Sequence, residues 1–352
     1  MNHKLELKKL IDTLISQKGS DIHITAKRKP VIRIDGDLVT LEDYIPFSKG
    51  DLLEILGDLV DAKSKTEFLE KKELDFGYDF DGKIRLRGNA YFQQGNIGIA
   101  LRLIPEIKTL KDLNLPDILK QFAYKSQGFF LVVGPVGQGK STTMASLLEL
   151  INEDRAEHIV TIENPIEYTF EPKRSLIEQR EVGIDTESFA AALKGSFRQD
   201  ANVIMVGEMR DPETMAAAVT AAETGHLVFS TLHTNNASQT IDRIIDSFPA
   251  SQQDQIRSQL ANTLLGVFSQ RLIPRVTGGL VPAYELLINN KAVANLIREK
   301  RTYELNVVIE TGSQHGMIDM NHSLADLVKK GEISIDNARL HSLNPRILDR
   351  LV

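Results

Sequence analysis

One segment of eight residues, 134–141, constrains the fold of this 352-residue chain more than any other feature. It reads Gly-Pro-Val-Gly-Gln-Gly-Lys-Ser and matches the pattern G-x-x-x-x-G-K-[ST]. An apolar run at 129–133 precedes it, and apolar residues with helical spacing follow at 144–151. Strand, loop and helix in this order form the setting in which such a loop binds phosphate groups. The sequence therefore predicts a phosphate-binding loop rather than a chance match in a glycine-rich turn.

The residue types of this loop match the chemistry of a nucleotide with magnesium. Its glycines allow backbone N–H groups to face phosphates, Lys140 supplies a positive charge to the outer phosphates, and Ser141 offers a hydroxyl to Mg²⁺. We therefore expect ATP and Mg²⁺ as cofactors. The predicted nucleotide contacts are Gly134, Pro135, Val136, Gly137, Gln138, Gly139, Lys140, Ser141 and Thr142.

The chain around the loop has the pattern of a parallel α/β domain. Four apolar runs, typical of strands buried on both faces, lie at 129–133, 158–162, 203–206 and 227–229. A helix is expected to start with Asp211 as its N-cap and Pro212 in its first turn, and to stop at Gly225. From Ser251 onward the pattern predicts helices, apart from one strand at 280–287.

The amino-terminal part has a different pattern. Residues 5–18 are spaced as an amphipathic helix, and Asp35-Gly36 and Asp81-Gly82 are typical of two-residue β-hairpin loops. A polar, proline-containing connection follows at 105–116. We predict a small α+β domain with its linker at 1–109 and an α/β domain at 110–352 with a helical carboxyl-terminal part.

Composition limits the environment and the partners. The chain has no cysteine, which excludes disulfides and cysteine-ligated zinc and suits a reducing cytoplasm. No apolar run is long enough to span a membrane, so direct membrane insertion is not expected. A net charge of −6 argues against nucleic acid as the main partner.

Two glutamates follow predicted strands at the carboxyl edge of the sheet, where ligands of open α/β sheets bind. Glu208 comes after the strand 203–206 and is either the general base that polarises the attacking water or a solvated residue of the following turn. Glu163 ends the strand before it and could hold a water bound to Mg²⁺. Glu167 is either a second acidic contributor or a loop charge.

Two histidines, His226 and His233, bracket the strand that contains residues 227–229. The pair could be interpreted as metal ligands, but zinc sites usually have closely spaced ligands and a third protein ligand. Phosphate sensing or structural hydrogen bonding is the favoured interpretation.

Arg87 and Arg102 lie on predicted strands of the first domain. Arginines on a half-exposed sheet usually form its solvated face. A multisubunit ATPase can instead require arginine from a mobile or neighbouring element, because that charge stabilises the transition state when the site closes.

Four motifs in order resemble those of the secretion-type motor ATPases, and within them the type IV pilus retraction ATPases. They are the phosphate loop, the acidic box at 158–168, the magnesium-associated box at 203–211 and the histidine box at 220–234. The resemblance covers nearly the whole chain. It implies a PAS-like amino-terminal domain joined to a RecA-like ATPase domain, assembled as a homohexamer.

The resemblance also implies roles and partners. Glu208 would be the catalytic base, Glu163 the acidic-box carboxylate, and His233 and His226 the histidine-box groups, with Glu163 and Glu208 reaching Mg²⁺ through water. Arg87 and Arg102 would be contributed to the active site. The implied partner is an inner-membrane pilus platform protein, which the motor would serve from the cytoplasmic side as a peripheral protein.

Retraction is favoured over extension by two absences. Extension ATPases usually carry an additional amino-terminal region and a tetracysteine zinc motif, whereas this chain is expected to start almost directly with the PAS-like domain and has no cysteine. Residues 292–299 also resemble a helix of retraction ATPases. Pilus extension or type II secretion is the alternative motor function. An ATP-binding regulatory subunit with little hydrolysis is the alternative of another class.

Overall fold

A computed structural model describes residues 3–34, 36–82, 84–104 and 106–352. The chain divides into two compact units. The first comprises Met1–Glu106 and Pro165–Thr169, and the second comprises Ile107–Asn164 and Phe170–Val352.

The first unit contains an antiparallel sheet with the strand order β3-β2-β1-β6-β5-β4. Its helices pack an apolar face, such as Leu7, Leu10 and Leu14 of α1, into a core shared with the sheet. The elements are α1 (His3–Ser16), α2 (Lys49–Leu59), α3 (Ala62–Lys71), β1 (Asp21–Thr25), β2 (Val31–Ile34), β3 (Asp37–Thr40), β4 (Glu73–Phe80), β5 (Ile84–Gln93) and β6 (Asn96–Leu103).

Both predicted hairpins are present, but their loops differ. In the β2–β3 hairpin Ile34 pairs with Asp37, which leaves two residues between the strands, and Asp35 of the predicted turn lies outside the described residues. In the β4–β5 hairpin Phe80 pairs with Ile84, so the loop has three residues and the two-residue prediction was wrong.

The second unit contains a sheet with the order β13-β12-β7-β11-β10-β8-β9, in which the antiparallel strand is β13. Its strands are β7 (Gly128–Val133), β8 (His158–Glu163), β9 (Leu176–Glu181), β10 (Val203–Val206), β11 (Leu227–Leu232), β12 (Leu264–Pro274) and β13 (Leu280–Ile288). Its helices are α4 (Lys120–Ala123), α5 (Lys140–Asp154), α6 (Phe189–Ser196), α7 (Pro212–Glu223), α8 (Ala237–Asp246), α9 (Ala250–Thr263), α10 (Lys291–Arg298), α11 (Leu305–Thr311), α12 (Met320–Lys329), α13 (Ile335–His341) and α14 (Pro345–Leu351).

The parallel part of this sheet follows the sequence pattern closely. Strands β7, β10 and β11 are buried at every residue, as continuous apolar runs predict. Helix α7 starts as expected, since the Asp211 side chain accepts a hydrogen bond from the Thr214 backbone N–H at 2.8 Å. The α/β fold class, preceded in the chain by a small domain with its own sheet, is confirmed.

Strand β12 contradicts the prediction of helix from Ser251 onward. It has eleven residues, of which Leu264 and 266–269 pair in parallel with β7 and 266–274 pair antiparallel with β13, the strand expected at 280–287. The chain passes from Thr263 of α9 directly into Leu264 of β12 without a glycine or proline break. Both faces of β12 are largely buried, so it lacks the alternation by which a short apolar run is recognised as a strand.

Candidate functional site

The phosphate loop lies between β7 and α5, as the sequence predicts. Gly137 and Gly139 have φ angles of 77° and 78°, a region that glycine occupies without strain. Gly134 donates its backbone N–H to Leu232 at the end of β11. The loop is thereby joined to the neighbouring strand, and Val136 at its tip is exposed.

Lys140 is folded back onto its own loop. Its Nζ donates to the carbonyl oxygens of Gly134 and Pro135, both at 2.9 Å, and its side chain is buried. These carbonyls accept hydrogen bonds from the ammonium group that the predicted site would offer to a phosphate. Ser141 is exposed at the first turn of α5, and Thr142 beside it is partly buried.

His233 connects Lys140 to Glu208. Its Nδ1 lies 3.3 Å from Lys140 Nζ, and its Nε2 lies 3.7 Å from a carboxylate oxygen of Glu208. Because Nδ1 faces an ammonium group, it must accept, which leaves the proton on Nε2, toward Glu208. Burial lowers the pKa of His233 and the Lys140 charge lowers it further, against an opposing effect of Glu208, so the ring is neutral at neutral pH.

Glu208 lies in the loop after β10, and hydrogen bonds to β11 hold this loop in place. Thr231 donates its hydroxyl to the Gly207 carbonyl at 2.6 Å and accepts at its own carbonyl from the Met209 N–H. The Glu208 carboxylate forms an ion pair of 2.6 Å with Arg210. Sequence reasoning did not single out Arg210 or Thr231, although both lie in the boxes that carry the resemblance.

Glu163 is the last residue of β8 and lies next to this loop. Its carboxylate accepts from the Thr161 hydroxyl at 2.6 Å and from the Gln179 amide at 3.2 Å, and its side chain is buried. A Cβ added to Gly207 would lie 3.5 Å from the Glu163 Cα. The carboxylates of Glu163 and Glu208 therefore occupy adjacent strand ends at one edge of the sheet.

These oxygen donors suit magnesium bound together with phosphates. Mg²⁺ is usually held by one or two carboxylates and substrate phosphates with several waters retained. Ser141, Glu163 and Glu208 provide a hydroxyl and two carboxylates of that kind. Within the described ranges, no group of three or more His, Asp or Glu side chains is arranged to hold a metal ion without such phosphates.

His226 is not brought together with these residues. It precedes the first residue of β11, whereas His233 follows the last, so the two are separated by about 20 Å along the strand. The His226 Nδ1 lies 3.0 Å from the Ala221 carbonyl, and its ring lies 5.6 Å from that of Phe197. These contacts are structural, and the catalytic role that the resemblance implies for His226 stays a prediction.

Arg87 and Arg102 lie side by side in the first unit. They face each other directly across β5 and β6, and Asp21 faces Arg102 from β1. Arg102 donates to Asp21 at 2.7 Å, and Arg87 donates to Glu167 of the Pro165–Thr169 segment at 3.4 Å. Each arginine thus has a carboxylate partner that offsets the repulsion between them.

Burial raises the pKa of Asp21, but the hydrogen bonds from Ser20 and Arg102 together outweigh it and bring that pKa below its ordinary value. Asp21 is therefore a carboxylate at neutral pH, and its pairing with Arg102 is ionic.

A mostly parallel sheet of this strand order, with a phosphate loop after β7 and carboxylates at the ends of β8 and β10, defines a P-loop nucleotide-binding protein. No helix in the described part of the chain combines the length and the apolar character that crossing a bilayer requires.

Comparison with known proteins makes this class specific. The sequence model of the family described as "Type II/IV secretion system protein" matches residues 100–327. The type IV pilus retraction ATPase PilT of Pseudomonas aeruginosa is 41% identical over 336 residues, which cover 95% of this chain and 97% of that protein. A twitching motility protein of Neisseria gonorrhoeae is 42% identical over 90% of this chain and 84% of its own length.

A solved structure agrees over the same extent. The crystal structure of the pilus retraction motor PilT with bound ADP has a TM-score of 0.91 and 44% identity, covering 97% of this chain and 98% of that one. The chain belongs to the type II/IV secretion system protein family.

Proposed function

We propose that this protein is a motor ATPase that couples ATP hydrolysis to type IV pilus retraction, and thereby to pilus disassembly and twitching motility. The observation that carries the proposed ATP hydrolysis is the contact series from Lys140 through His233 to Glu208, at 3.3 and 3.7 Å. It links the group that would hold the outer phosphates to the group that would accept a proton. The relatives named for retraction and twitching motility support the same function.

In the proposed reaction, the γ-phosphate of ATP draws Lys140 away from the loop carbonyls that it contacts here. Glu208 orients a water molecule and accepts its proton as the water oxygen bonds to phosphorus. The bond to the bridging oxygen breaks, and ADP and phosphate are the products. His233 loses its contact with Lys140 in this step, so its ring can respond to the γ-phosphate.

Magnesium fits the oxygen donors at the sheet edge. Ser141 would hold it directly, and Glu163 and Glu208 would hold it through water. When bound, the ion neutralises charge on the transferring phosphoryl group. The chain's own contribution is to fix Glu163 through Thr161 and Gln179, so that this carboxylate keeps its position.

The proposed assembly is a homohexameric ring in which Arg87 and Arg102 are delivered to a nucleotide when a site closes. Their contribution requires them to leave Glu167 and Asp21, and both arginines are partly exposed. The ring would act in the cytoplasm, peripherally at the inner membrane, on the pilus platform protein. We expect no nucleic acid partner.

The test is to count labelled pili and score retraction in living cells of the source organism whose only copy of the gene carries Glu208→Gln. Surplus pili that no longer retract are expected. Loss of pili would instead assign the protein to extension, and unchanged pilus dynamics would assign it to secretion. Wild-type protein that binds ATP without hydrolysing it would support a regulatory subunit.

A further inference from the structure

Gln270 lies beside the phosphate loop although it is far from it in sequence. In the parallel pairing of β12 with β7, Ser269 is opposite Val133, so Gln270 comes next to Gly134. A Cβ added to Gly134 would lie 2.4 Å from the Gln270 carbonyl oxygen. The first residue of the loop therefore packs against the backbone of β12, a contact that only glycine allows.

The Gln270 side chain makes two hydrogen bonds to the loop and its helix. Its Nε2 donates to the Gln138 carbonyl at 2.9 Å, and its Oε1 accepts from the Thr143 hydroxyl at 2.7 Å. The opposite amide orientation would set an oxygen against the Gln138 carbonyl, so the carbonyl selects the observed one. Gln270 is 3% exposed, and a buried amide that lost these partners would be costly.

A third hydrogen bond joins a side chain of the loop to the backbone of β12. The Gln138 side chain accepts from the backbone N–H of Leu272 at 2.7 Å. Gly139 allows the close approach, because a Cβ there would lie 2.9 Å from the Gln270 Nε2. The loop before Lys140 is thus bonded to β12 through a side chain from each partner.

We propose that Gln270 is a positioning residue that holds the phosphate loop in its binding shape before a nucleotide arrives. It reaches the carbonyl of Gln138 and the hydroxyl of Thr143, which lie on either side of Lys140. A loop that is already ordered does not lose further conformational freedom on binding phosphates, and this raises its affinity. The inference rests on the proposed function only in taking a nucleotide diphosphate or triphosphate as the ligand.

The test compares two buried side-chain amides: Gln270, which bonds to the phosphate loop and to α5, and Asn152, which lies near the far end of α5. Gln270→Met keeps the side-chain length but removes both hydrogen bonds. Asn152→Leu is the matched control, since Asn152 is fully buried in α5 and bonds to Glu171 and Lys173, about 18 Å along the helix from Lys140. For the full chain we would measure Tm and the Kd for ADP by calorimetry.

We expect both variants to lower Tm, and Gln270→Met alone to raise the Kd for ADP about tenfold. An equal Kd for wild type and Gln270→Met, or an equal rise in both variants, would overturn the inference. A wild-type protein that does not bind ADP would instead overturn the nucleotide site itself, and the inference with it.

Two further variants keep the test valid if Gln270→Met does not fold. Thr143→Val removes one of the two bonds at nearly constant shape and should raise the Kd about threefold. Gln270→Glu should bind ADP weakly at pH 8, where its charge faces the Gln138 carbonyl, and recover relative to wild type at lower pH, where the protonated acid can donate. A Kd unchanged by Thr143→Val and a wild-type pH profile for Gln270→Glu would contradict the proposal.

Discussion

The two units of this protein hold some of their charged groups in different ways. In the second unit Lys140 is 8% exposed and Glu285 is 3% exposed, and each is held by hydrogen bonds to backbone groups. In the first unit the Arg102 side chain is 67% exposed and that of Arg87 is 41% exposed, and each pairs with a carboxylate.

The difference bears on what each group can do. A buried charge interacts strongly with its surroundings, whereas solvent screens an ion pair whose arginine is exposed, and such a pair contributes about 0–1 kcal/mol. The second unit therefore has fixed groups in a prearranged site. The arginines of the first unit are held loosely and can exchange one anionic partner for another at small cost.

The largest expected effect is on turnover. Glu208→Gln should lower kcat about a thousandfold, because the amide cannot accept the proton of water. Binding of ATP should remain, since the phosphate loop is intact, and phosphate release together with ATP titration would measure both. Glu167→Gln, a matched change in the first unit, should cost less than tenfold. Near-normal turnover by Glu208→Gln would show that Glu208 is not the catalytic base.

The next effect is on stability. Burial raises the pKa of Glu285 from 4.5 to about 7, with a smaller contribution from Asp319, while the Ala237 N–H and Arg271 act in the opposite direction. The folded protein thus binds this proton more tightly than the unfolded chain does. The stabilisation is complete below pH 4.5 and is lost as the pH rises through about 7.

Glu285→Gln should remove that pH dependence, because the amide is neutral throughout and can still accept from Ala237. At pH 8 the variant should be more stable than wild type by about 3 kcal/mol, measured by denaturant unfolding. Glu187→Gln, on the exposed surface of the same unit, should change stability by less than about 0.5 kcal/mol. Parallel pH profiles for wild type and Glu285→Gln would show that burial does not displace this carboxyl group.

The smallest expected effects are those of changing Arg87 and Arg102. They test whether these arginines act in hydrolysis or only form ion pairs within the first unit. Arg102→Ala and Arg87→Ala should each lower turnover about tenfold to a hundredfold. Stability should change by less than about 1 kcal/mol for Arg87→Ala, and by more for Arg102→Ala, because that change leaves the buried Asp21 carboxylate without its ion-pair partner. Asp21→Asn releases Arg102 and should leave turnover at least at the wild-type rate. Unchanged hydrolysis in both alanine variants would place the arginines outside the reaction, and a large loss of stability in Arg87→Ala would contradict its loose attachment.

The sequence predicted those parts of the molecule in which a local pattern is sufficient. The phosphate loop, the capped start of α7 and the buried parallel strands each follow from neighbouring residues. The pairing of Arg102 with Asp21 could not be predicted in this way, because it depends on the register between β1 and β6, which are distant in sequence.

Strand β12 shows the limit most clearly. Its residues 264–274 have no alternation to reveal a strand, because both faces are largely buried. Gln270 was missed for the same reason, since a glutamine in an expected helix gives no sign of a loop contact. His226 is the converse case: it belongs to a matching motif, but the direction of β11 places it at the other edge of the sheet.

Strand β12 also has a mechanical consequence. Its eleven residues span roughly 35 Å, and beyond Gln270 it enters a second small core, where Ile273 packs with α12, α13 and α14. Arg271 fastens that end by donating to the His341 carbonyl at 2.6 Å, and a ladder with β13 runs from Gly266 to Pro274. One strand, paired with β13 along nine residues, therefore joins the phosphate loop to the carboxyl-terminal helices. We expect a displacement of these helices to be felt at the loop, because β12 contacts both without a flexible segment between them.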